Sequence, residues 1–154
     1  MKKFFALALA LTMIIGMASV TFAGDVVIEY DKAYVLKFDS DDEVEIAFGG
    51  NEGVFTVDVS GQDKLFIAFN TTPYESISAA NEGKEMFFVN FCGIRFNRTG
   101  EYVYELEDAA AAYQIIDGKL TEIPNVKIEN DEISFRTNYL GSYVFAKSEL
   151  VNPA

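Results

Sequence analysis

Residues 43–69, EVEIAFGGNEGVFTVDVSGQDKLFIAF, alternate apolar and polar side chains in three short runs separated by two glycine-containing breaks. Val44, Ile46 and Phe48 share one side of the first run. Phe55, Val57 and Val59 do so in the second, and Leu65, Ile67 and Phe69 in the third. Successive side chains of a strand point to opposite faces, so period-two alternation marks a strand with one buried face. The breaks GGNEG and SGQD hold residues that tolerate tight-turn backbone angles. The stretch therefore predicts an antiparallel meander.

The rest of the chain continues in this style. Residues 26–30 and 33–38 read as strands joined by Asp31-Lys32, and Asp39-Ser40-Asp41-Asp42 as an acidic turn. Residues 74–81 suit one or two turns of helix. Residues 85–92 (EMFFVNFC) are apolar on both faces, which fits a central or covered strand. Residues 93–100 read as a loop or irregular edge, and 101–107 as a strand. Asp117-Gly118 and Asn130-Asp131 each sit between strand-like runs and predict hairpins. Residues 138–141 read as a turn before a last strand at 142–147. The resulting expectation is an all-β protein, an antiparallel β-sandwich of Ig-like or jelly-roll-like type closed by a C-terminal pair of β-hairpins. The segments are a leader over 1–23, a sandwich over 24–107, a hairpin module packed on it over 108–148, and a frayed tail over 149–154.

The leader reading rests on Lys2 and Lys3, an almost wholly apolar run over residues 4–17, and small residues at Thr21 and Ala23. This is the pattern of a cleaved secretory signal helix. Cleavage is expected after Ala23, with Ala18 as the alternative. The apolar run is short for a spanning helix, which needs roughly 20 residues. No membrane insertion is expected once the leader is removed.

The whole chain carries 24 acidic and 12 basic side chains, a net charge of −12, and the leader removes two of the lysines. Nucleic acids and anionic membranes reward Lys and Arg, so neither is an expected partner. The one cysteine, Cys92, excludes an internal disulfide and reads as a small buried hydrophobe. The expected location is extracellular or cell-wall-associated.

Three C-terminal segments carry a resemblance: Asp117-Gly118-Lys119-Leu120, Ile133-Ser134-Phe135-Arg136-Thr137, and Leu140-Gly141-Ser142-Tyr143-Val144-Phe145. Together they are similar to the closing β-module of exported and cell-wall-associated proteins of Gram-positive, clostridia-like bacteria. EVEIAFGGNEG and FNRTGEYVYEL resemble small secreted proteins of the same bacteria. The resemblance covers mainly the last quarter of the chain. It implies location and fold, and it carries over no catalytic residue. The resemblance does not extend to a sorting signal or a wall-binding repeat.

Histidine is absent, which removes Ser-His and Cys-His nucleophilic machinery and the usual zinc sites. No cofactor is expected. Asp39, Asp41, Asp42 and Glu43 form the densest group of oxygen donors and are the candidate calcium ligands, against the reading of an ordinary charged turn. Phe66, Tyr74, Phe88 and Tyr139 fall on outward positions or in loops and are the candidate ligand or partner contacts. Arg95 and Arg98 are rare cations in an acidic chain. Pairing with nearby acids is the favoured reading, and contact with an anionic ligand the other. The expected function is that of a non-enzymatic exported protein that contacts another protein or the cell envelope. The alternative is a small carbohydrate-binding module, so a glycan is the other expected partner.

Overall fold

The computed structural model describes residues 18–22, 25–38, 42–49 and 53–154. The apolar run of the leader, and Asp39 and Asp41 of the acidic turn, lie outside these residues. The described residues form eleven strands and one helix: β1 (Ala18–Phe22), β2 (Val26–Ile28), β3 (Ala33–Phe38), β4 (Glu43–Phe48), β5 (Val54–Asp58), β6 (Leu65–Ala68), α1 (Glu75–Ala80), β7 (Met86–Glu105), β8 (Ala111–Ile116), β9 (Lys119–Glu122), β10 (Lys127–Glu129) and β11 (Glu132–Ala146). Among the described residues no helix is long and apolar enough to cross a membrane.

The larger sheet has eight strands in the order β2-β4-β5-β7-β11-β8-β9, with β10 also paired to β11. It is mixed rather than antiparallel throughout, because β2 runs parallel to β4. The smaller sheet pairs β3 with β6 antiparallel, and β1 runs parallel along the other edge of β3. The sheets do not close into a barrel. β1 falls inside the expected leader. Cleavage after Ala23 would free that edge of β3, whereas cleavage after Ala18 would leave most of β1 in place.

The expected meander forms only in part. β4 and β5 make the hairpin, with Ile46 opposite Phe55. β6 does not follow β5 in the sheet. The Asp58 carboxylate accepts the Ser60 amide, and the Gln62 amide bonds back to the Val59 carbonyl. This turn sends the chain across to β3, and β7 takes the free edge of β5. Leu65, Ile67 and Phe69 keep their buried parity and enter the same core from the opposite sheet. Alternation fixes which face is buried but not which strand lies alongside.

β7 and β11 form a long ribbon at the centre of the large sheet, pairing from Met86 opposite Ala146 to Glu105 opposite Glu132. β11 lies between β7 and β8, so the C-terminal strands complete the large sheet. Residues 93–100 and 138–141, expected as breaks, lie inside these two strands. The break residues are absorbed as bulges, with Cys92 at φ 53° and Gly93 at φ 71°. Gly100 has no room for a side chain, since a Cβ there would meet the Thr56 carbonyl and the Phe55 ring.

The principal core is rich in aromatic rings. Phe91 packs edge-on against Phe48, Tyr102 and Tyr143, with ring centroids 4.7, 5.5 and 6.0 Å away. Such pairs are worth about 0.5–1.5 kcal/mol each beyond their buried area. The two-faced strand at 86–92 serves two cores. Val89 and Phe91 enter the principal one, and Phe88 enters a second built with Ile77, Ile115, Val144, Ala146 and Leu150. Helix α1 and the C-terminal tail thus cover one end of the outer face of the large sheet.

The tail is tied down rather than frayed. Leu150 is buried in the second core. Asn81, only 2% exposed, accepts the Val151 amide at 2.8 Å and donates to the carbonyls of Val151 and Ile77, both at 2.9 Å. Asn152 accepts the Leu120 amide at 2.6 Å. Both predicted hairpins form, between β8 and β9 and between β10 and β11. Their turn pairs have positive φ: 52° and 75° at Asp117-Gly118, and 51° and 62° at Asn130-Asp131. That is the backbone of the turn that matches strand twist.

Candidate functional site: a ledge at the centre of the ribbon

The irregular middle of the ribbon gathers the most unusual backbone of the large sheet. In β11 the register shifts between Thr137 and Tyr139 and again between Leu140 and Ser142. In β7, Cys92 and Gly93 bulge outward opposite this region. Cys92 is exposed there, a correction to its expected burial, because the bulge turns its side chain away from both cores. A left-handed conformation at a residue with a Cβ costs about 1–2 kcal/mol.

Tyr139 sits at the centre of this ledge. The Thr137 hydroxyl accepts from its amide at 3.1 Å and donates to its carbonyl at 3.0 Å. The Tyr143 hydroxyl donates to the same carbonyl at 3.2 Å. Burial pushes the Tyr143 hydroxyl pKa up to about 12, so it stays a donor. The Tyr139 side chain lies beside two glycines. A Cβ on Gly93 would come within 3.1 Å of its hydroxyl, and one on Gly141 within 3.2 Å of its ring. The Arg95 guanidinium lies over the ring, 4.6 Å from its centroid. The ring face attracts a cation, which holds the guanidinium in place.

Arg95, Arg98 and Arg136 are all the arginines of the chain, and all three fall on this part of the ribbon. Ile94, Phe96 and Phe135 point into the core, so Arg95 and Arg136 project from the outer face. Among the described residues no acidic side chain forms an ion pair with Arg95. Arg98 does pair with an acid, Asp58, at 3.8 Å. The contact is long because Asp58 is held mainly by the Ser60 hydroxyl and amide, which also lower its pKa. Arg136 reaches the Thr99 carbonyl at 3.4 Å. The favoured expectation of internal pairing therefore holds for Arg98 and not for Arg95. Uncharged polar side chains flank Tyr139: Asn138 bonds to the Phe96 carbonyl, and the Gln114 amide lies beside Gly141, whereas Asn97 bonds to the Gly61 carbonyl of the β5–β6 turn.

The four predicted contact residues separate. Tyr139 belongs to the ledge. Tyr74 lies beyond it, its hydroxyl 3.3 Å from the Ser142 oxygen and its ring stacked on Phe88 at 6.2 Å. Phe88 is buried and presents no surface. Phe66 is elsewhere, on β6 of the small sheet, 53% exposed and opposite Val35. Ala33 and Ala68 form the neighbouring pair on that outward face.

Of the candidate calcium ligands, Asp42 and Glu43 are described. Both are exposed, and the Asp42 carboxylate accepts the Glu43 amide at 2.8 Å. Among the described residues no three acidic or thiol side chains converge as a metal site. Sequence reasoning passed over Arg136 and Asn138. The signal for Arg136 was available in the restriction of arginine to residues 95–136 of an acidic chain. No family model, curated protein or solved structure matches this chain.

Proposed function

We propose that this is an exported, non-enzymatic β-sandwich protein that acts by surface contact with another protein or with the cell envelope. The observation that carries this reading is the outward face of the small sheet. There Phe66, Val35, Ala33 and Ala68 form an apolar patch with an aromatic ring standing more than half clear of its neighbours. Exposed contiguous apolar surface favours a partner. The sandwich reading draws support from Leu36 and Ile67 of the small sheet entering one core with Phe55 and Phe91 of the large one. The leader sequence and the resemblance to Gram-positive surface modules support the location.

The test is co-sedimentation of the exported form with purified Gram-positive cell walls. Retention that weakens severalfold in Phe66→Ser, with an unchanged melting temperature, is the expected result. A protein that stays in the supernatant, or a Phe66→Ser variant retained as well as wild type, would count against this reading. The second reading, a carbohydrate-binding module, is favoured by the ledge, where an aromatic ring, a guanidinium and uncharged hydrogen-bonding side chains converge.

A further inference from the structure

We infer that the Arg95–Tyr139 ledge binds a saccharide unit carrying a single anionic oxygen group, a carboxylate or a phosphate, within an otherwise uncharged glycan. This rests on the second reading above and names its ligand class.

Four observations lead to it. First, the Arg95 guanidinium is exposed and has no acidic ion-pair partner among the described residues of a chain with net charge −12. A planar guanidinium offers paired donors suited to a carboxylate or phosphate.

Second, its position is built. Tyr139 is fixed through its backbone by Thr137 and Tyr143, its side chain is flanked by Gly93 and Gly141, and Arg95 is held over the ring. Backbone held in sparsely populated conformations clusters at binding sites, where it pre-organises the contact. Cys92 at φ 53° and the two register shifts supply that signature here.

Third, Asn138, next to Tyr139 in the strand, and Gln114, whose amide lies beside Gly141, are uncharged and polar, which suits hydroxyl groups. The centre of a protein–protein contact is typically more apolar, and the apolar patch lies on the small sheet instead.

Fourth, the charge of the whole chain limits the ligand. At physiological ionic strength charges act over roughly 8 Å. Glu101, directly across the strand pair from Arg136, adds negative charge on the same face. A densely charged polyanion or an anionic membrane would place further negative charges within reach of these acids. One acidic group on a neutral glycan would not.

The experiment titrates the labelled exported form, followed by its backbone amide resonances, with five probes. They are an oligosaccharide containing one uronate, a sugar phosphate, the matched neutral oligosaccharide, inorganic phosphate and acetate. Saturable shifts at residues 93–95 and 138–142 with the uronate, the sugar phosphate or both are expected, and which one binds assigns the anion. Arg95→Gln is expected to weaken binding about tenfold or more, equivalent to roughly 1.4 kcal/mol, while melting with wild type. Phe66→Ser is expected to bind as wild type does. The inference is overturned by no saturable shift, by equal binding of the neutral sugar, by equal binding of the free anions, or by unchanged affinity in Arg95→Gln. If the acidic sugars fail while wall retention still depends on Phe66, the contact reading stands and this inference alone falls.

Discussion

The two ends of the β7–β11 ribbon and its middle are built to different rules. At one end Tyr102 lies opposite Phe135 and Tyr104 opposite Ile133. At the other, Val89 lies opposite Tyr143 and Phe87 opposite Phe145. Pairing is regular there, and the ribbon bends so that rings of the two ends meet in the core, as in the 4.6 Å approach of Tyr104 to Phe145 and the 5.1 Å approach of Phe135 to Tyr143. In the middle the register slips twice, a non-glycine residue takes positive φ, and the outer face presents a guanidinium with no acidic ion-pair partner among the described residues, although Ile94, Phe96 and Leu140 still enter the core. Regular ends clamp an irregular centre, so the centre can hold a conformation that neither its own propensities nor its own burial would select. Stability resides at the ends, and the capacity to bind resides in the middle.

Substitutions at the ends should therefore be costly and those on the ledge nearly silent in folding. Tyr102 is fully buried and touches the rings of Phe91, Phe135 and Phe145. Tyr102→Ala is expected to lose about 4 kcal/mol by denaturant unfolding, in line with other aromatic truncations in cores. A loss under 1 kcal/mol would break the contrast.

Next comes the clasp that holds the tail over the 86–90 end. Asn81→Ala removes three hydrogen bonds and takes this partner from the Val151 amide and from the carbonyls of Val151 and Ile77. The expected cost is about 2 kcal/mol, with faster proteolysis of residues 148–154. Unchanged proteolysis would mean that the tail is held mainly by Leu150.

Tyr143 joins the two regions, since its side chain is in the core and its hydroxyl supports Tyr139. Burial raises its folded pKa from 10.0 to about 12. The neutral form is favoured in the folded state, so this contribution is complete below pH 10 and is lost as pH rises through 12. Tyr143→Phe should cost about 1 kcal/mol at neutral pH and should reduce the fall in melting temperature above pH 10. An identical alkaline profile in the variant would show that this hydroxyl does not carry the dependence.

The smallest folding effect belongs to Arg95→Gln, expected within about 0.5 kcal/mol of wild type, as for surface positions generally. A loss above 1 kcal/mol would show that the stack on Tyr139 supports the fold rather than a ligand.

Much of this architecture is legible in the chain. Val44, Ile46, Phe55, Val57, Leu65 and Ile67 show their buried parity, and Asp117-Gly118 and Asn130-Asp131 show their turns. These signals are local, set by side-chain period and by φ. Partner choice is not local. The transfer of β6 to β3 depends on β7 competing for the edge of β5, which no residue near Leu65 reveals. Gly93 and Gly141 looked like chain breaks because glycine is frequent in turns. Here both occur within long strands, where a Cβ would crowd Tyr139. The ledge was only half visible for the same reason: Arg95 stood out by type, but its stack on Tyr139 exists only once β7 and β11 are paired. The tail looked frayed because Asn81, which holds it, lies some seventy residues away.

Native-state amide hydrogen exchange along β7 tests the division between ends and middle most directly. Amides at residues 87–90 and 101–105 should exchange only through global unfolding, while those at 92–95 should exchange through local opening at much lower free energy. Uniform protection from 87 to 105 would contradict the account, because the centre would then be as firmly held as the ends that are meant to clamp it.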